Sequence, residues 1–172
     1  HALFLMTSGL RSVRDKALTY FKELLLEEGN HFDKLYKAVN AFGEQLRKVA
    51  IEDRESLELS GLHFNLHTIV GGQLKGDSEP KMFLLYPEGN WIEIGPGTPF
   101  VIIGNSGYGK PILNRIVKYN TSISKALIAG FLSFDSTRVS ANDVGFPIDI
   151  VIYKNDSFEL VEKRYHEEDL KH

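Results

Sequence analysis

Twice along this chain the spacing of the apolar residues changes period, and the resulting order of elements excludes more folds than any single motif does. A short, wholly apolar run, Ala2 to Met6, comes first and predicts a strand buried on both faces. After "TSG" the period becomes helical. Leu10, Val13, Ala17, Phe21, Leu24 and Leu25 recur at three- and four-residue steps, with Ser8 placed to cap the helix and Gly29 to end it. Asn30 then caps a second helix, antiparallel to the first, with Phe32, Leu35, Val39, Phe42, Leu46 and Val49 on one stripe and Asp33 in its first turn. From there the chain shifts to short runs rich in β-branched and aromatic residues: "LHFNLHTIVGGQL", "PKMFLLYP", "NWIEI" and "TPFVIIG". Separated by "KGDSE", "EG" and "GPG", they predict a four-strand antiparallel meander. Helical spacing returns at Pro111 to Val117 and from Ser122 to about Arg138, where Ile123, Leu127, Phe131 and Phe134 share a side. "PIDIVIYKND" and "SFELVEKRY" complete the pattern as two strands about an Asn-Asp-Ser turn, before the charged tail "HEEDLKH".

Strand, two helices, four strands, two helices, two strands is the order of an α+β fold, sheets with helices on their outer faces. A doubly wound nucleotide-binding fold alternates strand and helix, and this chain does not. The point matters for "VIIGNSGYGKPILNR", where Gly104, four residues, Gly109 and Lys110 approximate a phosphate-cradling loop. Such a loop carries Ser or Thr after its lysine to ligate magnesium, whereas here Pro111 follows. Asp135, closing "FLSFD", could stand for the strand-borne aspartate of a nucleotide site, but it lies inside a helical pattern. The segment reads as a structural turn into a helix, and nucleotide binding through Gly104 to Lys110 is the distant alternative.

At 172 residues and 42% hydrophobic, the chain can bury one sizeable core, which predicts a single domain over residues 1–172. Twenty Lys plus Arg against 23 Asp plus Glu give no bulk attraction for nucleic acid or anionic lipid, so neither is an expected partner. The absence of cysteine excludes a disulfide frame, a thiolate zinc site and a cysteine nucleophile, and it suits a cytoplasmic protein. No apolar run approaches the roughly 20 residues that span a bilayer, and "HALFLMTSGL" lacks the basic leader and long apolar centre of a signal peptide. His1 stands one step from an apolar strand, which predicts a chain that begins in the middle of a fold. His63 and His67 share a strand face by parity, yet residues four apart in a strand lie roughly 13 Å apart, too far for one zinc ion. No metal or cofactor is expected. Trp91, Tyr86 and Phe83 read as core or subunit contact, and Glu27, Glu28 and "IEDRESLE" as solvated helix surface.

In this order and spacing, "HFNLHTIVGGQLKGDSEPKMFLLYPEGNWIEIGPGTPFVIIGNSGYGKPILNR" resembles the central part of the proteasome-type proteases, and within them the bacterial Anbu, or ancestral beta-subunit, group. The "GGQ" strand end, the strand closing in "YPEGN", the "YGKPIL" segment, "VGFPIDIVIY" and "LMTSGL" ahead of the first helix carry the resemblance over essentially the whole chain. It implies a four-layer αββα sandwich of the N-terminal-nucleophile hydrolase type, incomplete at the N-terminus. In that arrangement "IGNSGYGKPIL" is a strand-to-helix corner, and Lys110 is a solvated or interface charge.

The chemistry implied by the resemblance is peptide-bond hydrolysis. The hydroxyl of an N-terminal Thr or Ser attacks the carbonyl, and the free alpha-amine and a nearby lysine handle the proton. Because residue one is His1, the resemblance places the nucleophile and the activating lysine upstream, and implies that these residues alone hydrolyse no peptide. The implied partners are copies of the chain itself, in a ring or open helical oligomer, and a peptide or unfolded protein as substrate. Gly9 matches the glycine whose N–H faces the developing oxyanion, or is simply a helix-entry glycine. Arg11 falls where the family shapes its main side-chain pocket, which would favour acidic or polar substrate residues, or it faces solvent. The family's Gly-Ser-Gly beside the nucleophile corresponds to Asn105, Ser106 and Gly107 after Gly104, with Ser106 able to supply the hydroxyl after a one-residue shift. An Asp and a Ser three residues apart that support the nucleophile correspond to Ser140 and Asp143 with the types reversed, which is altered support or a capped loop. A noncatalytic scaffold subunit of the same fold is the alternative function.

Overall fold

The first apolar run extends as strand β1 (Ala2–Gly9), and the helical spacing after it folds as α1 (Arg11–Glu28), in a computed structural model that describes residues 1–28 and 32–170. Gly29 and Asn30, the predicted helix end and cap, lie outside the described residues. Ser8 is not a cap. It sits inside β1 opposite His67, and α1 opens after Leu10, whose carbonyl accepts from the Arg14 N–H. Helix α2 (Leu35–Leu59) runs past Val49 through the "IEDRESLE" segment, most of which is exposed, as its charge predicts.

Strands β2 (Leu66–Gln73), β3 (Lys81–Leu85) and β4 (Trp91–Glu93) join β1 in one antiparallel sheet, in the order β1-β2-β3-β4. The fourth member is therefore β1 and not "TPFVIIG", which forms no strand. Pro99 removes a ladder donor from that segment, and the ladder with β3 already stops at Glu93.

Register fixes the faces, because residues directly opposite in a ladder point the same way. Leu3, Leu5, Leu66, Val70, Phe83 and Leu85 turn toward α1 and α2, where they meet Val13, Ala17, Phe21, Leu35, Val39, Phe42 and Leu46 in the core. Each helix contributes the stripe its spacing predicts, except that Phe32 and Asp33, read as part of the second helix, precede α2, whose capping position is Lys34. The other face of the sheet is also largely apolar, with Phe4, Met6, Ile69, Met82 and Leu84 at alternate positions. Thr68 sits on the core side, fully buried, and its hydroxyl has no hydrogen-bond partner among the described residues.

The chain divides into two compact units, residues 1–93 with 154–159, and residues 94–153 with 160–172. In the first, α1 is tied to α2 by a polar cluster. Lys16 Nζ reaches Glu52 at 2.6 Å and Asp53 at 2.9 Å, and the Tyr20 hydroxyl donates to Glu52 at 2.7 Å. Gln73, 1% exposed, donates to Asp156 Oδ1 at 2.8 Å and accepts from its N–H at 3.0 Å. The second unit holds α3 (Lys110–Ile116), α4 (Ile123–Ser140), the hairpin β5 (Ile148–Tyr153) and β6 (Leu160–Tyr165), and a 3-10 turn at Glu167–Leu170. Ser122, where the helical spacing begins, caps α4 by accepting from the Lys125 N–H. Leu127, Phe131 and Phe134 line an apolar groove of about 330 Å³ with Ile148, Ile150 and Ile152. The Phe131 ring meets Tyr165 edge-on at 5.3 Å.

Two stability predictions follow from the first unit. Replacing Thr68 by Val keeps the shape and removes an unpaired buried hydroxyl, so urea unfolding should show a gain of about 1 kcal/mol; a loss would mean that the hydroxyl is satisfied. Lys16 and Tyr20 hold the Glu52 carboxyl below its ordinary value of 4.5. A carboxylate with a lowered folded-state pKa contributes stability that is present above about pH 4.5 and lost as pH falls through the lowered value. In Lys16→Met the acid limb of Tm against pH should therefore be shallower; an unchanged limb would show that the cluster is without effect.

Candidate active-site scaffold

The end of β1 is built around one glycine. Gly9 has φ +141°, and a Cβ placed on it would run into the carbonyl of Asn65. That same carbonyl accepts from the Leu10 N–H at 2.9 Å, so the chain passes from strand to helix pressed against the start of β2. The glycine is thus required by conformation and by close approach. Asn65 was not singled out from the sequence, and only a glycine between a small-residue strand end and a helix hinted at the contact.

Arg11 is 84% exposed in its side chain and lies 3.4 Å from Asp15, which also pairs with Arg14 at 2.8 Å. The Arg14 guanidinium, assisted by Arg11, holds the Asp15 carboxyl below the usual carboxylate range. Arg11 is therefore a partly neutralised surface cation at the first turn of α1. On the second face of the sheet, Ser8 stands opposite His67, whose ring meets Tyr86 edge-on at 5.9 Å. Ser8 and His67 share no hydrogen bond among the described residues, so they form no nucleophile-base dyad there.

In the second unit, Asn105, Ser106 and Gly107 occupy an exposed loop before α3. The Asn105 side chain accepts from the Gly107 N–H at 3.2 Å and the Ser106 carbonyl from the Lys110 N–H at 3.1 Å, which leaves the Ser106 hydroxyl without a partner among the described residues. Ser140 ends α4 and Asp143 lies in the turn after it. Both are exposed, and no hydrogen bond joins their side chains among the described residues.

The resemblance of this loop to a phosphate cradle dissolves on its geometry. No strand precedes it, α3 is seven residues long, and Pro111 occupies the first turn. Gly104 has φ +79°, and Gly109 is buried because a Cβ there would strike the Ser133 hydroxyl of α4. The glycines serve the turn and the helix packing, and Lys110 is exposed. The expected strand-to-helix corner is therefore a loop-to-helix corner.

Phe83 and Trp91 meet edge-on at 4.9 Å, with the Trp91 indole donating to Asn40 at 2.7 Å, as core and not as a ligand cage. A depression of about 240 Å³ beside them includes Tyr36, Lys34 and Lys81, and two carboxylates, Glu79 and Glu93, already engage Lys81. Among the described residues no helix is long and apolar enough to cross a membrane.

No protein-family model matches this chain, and no curated protein does either. Solved structures do. A Gly-1 mutant of Anbu from Hyphomicrobium sp. strain MC1 is 36% identical, covers 94% of this chain and 68% of its own, and superposes with a TM-score of 0.84. Anbu, the ancestral beta-subunit, from Yersinia bercovieri is 32% identical over 96% of this chain and 71% of its own, at 0.85. The helical assembly of the Anbu complex from Pseudomonas aeruginosa is 32% identical over 98% of this chain and 70% of its own, at 0.89.

The Gly9 geometry predicts that Gly9→Ala lowers stability by about 1–3 kcal/mol in chemical denaturation, because both the strained φ and the Asn65 carbonyl oppose a side chain. Unchanged stability would mean that the strand end is free to relax and that the glycine is kept for another reason.

Proposed function

Since the chain belongs to the Anbu (ancestral beta-subunit) proteins, we propose that it is a subunit of a self-assembling, proteasome-like peptidase. The observation that carries this reading is the 36% identity over 94% of the chain, at a TM-score of 0.84, to a protein of that group. One domain over residues 1–172, folded as part of a four-layer αββα sandwich, is the architecture proposed. The apolar second face of the β1-β4 sheet supports it, since Phe4, Met6, Ile69, Met82 and Leu84 are what a sheet meeting another sheet presents.

In the proposed mechanism the hydroxyl of an N-terminal Thr or Ser of the whole protein attacks the peptide carbonyl, and its alpha-amine takes the proton. The residues here supply the surroundings. The Gly9 N–H faces the oxyanion, a preorganised donor worth about 3–4 kcal/mol of barrier in enzymes that use one. Arg11, at the rim of the same strand end, selects polar or acidic side chains in the substrate. Ser106 and the loop of Asn105 and Gly107, with Ser140 and Asp143, support the nucleophile. Self-assembly is proposed because a relative 32% identical is described as a helical assembly, and the cytoplasm is the proposed compartment.

The test is amino-terminal sequencing and intact mass of the protein from its source, followed by a covalent hydroxyl-directed inhibitor. The peptidase reading expects an N-terminal Thr or Ser that the inhibitor modifies, with loss of peptide hydrolysis. Any other first residue, together with no labelling, would leave a noncatalytic scaffold subunit.

A further inference from the structure

The depression beside the Phe83–Trp91 pair lies wholly within the first unit. At about 240 Å³ it falls below the roughly 300–1,000 Å³ of pockets that take drug-sized ligands, which limits a guest to a smaller molecule. Its floor is apolar. Phe83 is buried, and the half-buried Trp91 has its indole N–H spent on Asn40, so its one polar atom needs nothing from a guest. Tyr36 of α2 and the turn of Gly76, Asp77 and Ser78 complete the lining. A Cβ on Gly76 would meet the Lys34 side chain at 3.2 Å, so turn and lysine stand in contact. The hydroxyls of Tyr36 and Ser78 have no partner among the described residues.

The charges around this floor are left over in two places, with opposite signs. Lys81 sets one positive charge between two carboxylates, Glu79 at 2.9 Å and Glu93 at 2.8 Å, which leaves one negative charge over. Glu93 engages it through Oε1, and Oε2 has no partner among the described residues. Lys34 leaves one positive charge over, because its ammonium has no carboxylate within ion-pair distance among the described residues. Asp77 does not serve it. That carboxylate spends Oδ2 on the Leu35 and Leu74 N–H groups, and the N-terminal end of α2 meets its charge. A simple anion drawn to Lys34 would be repelled by Glu93, and a simple cation drawn to Glu93 would be repelled by Lys34. A molecule that carries both charges on an apolar body satisfies both ends and the floor between them.

We propose that this depression binds a small zwitterion of the α-amino acid class with an apolar side chain. Its carboxylate meets Lys34 and the Tyr36 and Ser78 hydroxyls, its ammonium meets Glu93 Oε2, and its side chain lies on Phe83 and Trp91. None of these residues belongs to the candidate active-site scaffold, so the site is independent of the peptidase reading.

The test is titration of the full chain with L-leucine, which has no chromophore of its own, followed by calorimetry and by the fluorescence of Trp91, the one tryptophan of the sequence. L-leucine should give saturable binding. N-acetyl-L-leucine, which lacks the ammonium, and L-leucinamide, which lacks the carboxylate, should each bind roughly tenfold more weakly, since each loses a charge-assisted hydrogen bond. Lys34→Met and Glu93→Gln should each raise the L-leucine dissociation constant by about the same factor, with circular dichroism confirming that each variant folds. The two losses should also be matched to their ends: Lys34→Met no longer distinguishes L-leucine from L-leucinamide, and Glu93→Gln no longer distinguishes it from N-acetyl-L-leucine. L-leucine that neither releases or absorbs heat nor alters the fluorescence overturns the site. A blocked derivative that binds as tightly as L-leucine overturns the zwitterion, and binding indifferent to both substitutions overturns the location.

Discussion

A single carboxylate holds the first unit in register. Asp77 Oδ2 accepts from the Leu35 N–H at 3.0 Å and from the Leu74 N–H at 2.9 Å, so one atom satisfies the opening of α2 and the turn that ends β2. Lys34, in the capping position of α2, contributes no side-chain bond. Capping is thus tertiary here. The first turn of any helix leaves N–H groups unpaired, and burying them unsatisfied costs about 1–3 kcal/mol each. Gly76 adds a backbone bond to the Asp33 carbonyl at 2.7 Å, where a Cβ would intrude. With this corner fixed, Leu35, Val39, Phe42 and Leu46 stand over Leu66, Val70 and Leu85, and the core is determined.

Close approach of backbone to backbone recurs as the device that brings the layers of the first unit together. Gly43, buried in the middle of α2, faces the Gly89 carbonyl, and a Cβ there would come within 2.6 Å of it. Arg47, one turn on, donates to the Glu88 and Gly89 carbonyls at 3.1 Å each, clasping the β3-β4 turn to the helix. A glycine inside a helix costs about 1 kcal/mol relative to alanine, and here the cost is offset by the turn it admits. In the second unit Gly109, at the cap of α3, instead makes room for the Ser133 side chain of α4. The glycine pattern that imitates a phosphate loop has its cause in helix packing.

What the sequence disclosed and what it hid divide along the range of the interaction. The α1 and α2 stripes were legible because helical period is a local property, and so was the start of α4 near Ser122. Ser8 misled because its residue type suits a cap while its neighbours commit it to a ladder with His67. "TPFVIIG" misled because apolar, β-branched composition favours a strand without supplying a partner to pair with. Asp77 could be read only as a turn residue, since its second partner lies 42 positions away. At the candidate site, Gly9 was recognisable as a special glycine, but the Asn65 carbonyl that makes it so belongs to a distant part of the chain.

The same reasoning accounts for the apolar content of the β1-β4 sheet. The second face of the β1-β4 sheet alternates with a buried face, so each strand is two-sided and its sequence carries near-continuous apolar runs such as Ala2 to Met6 and Ile69 to Val70. Such a face is satisfied by a broad, flat partner, because its side chains stand in rows roughly perpendicular to the sheet.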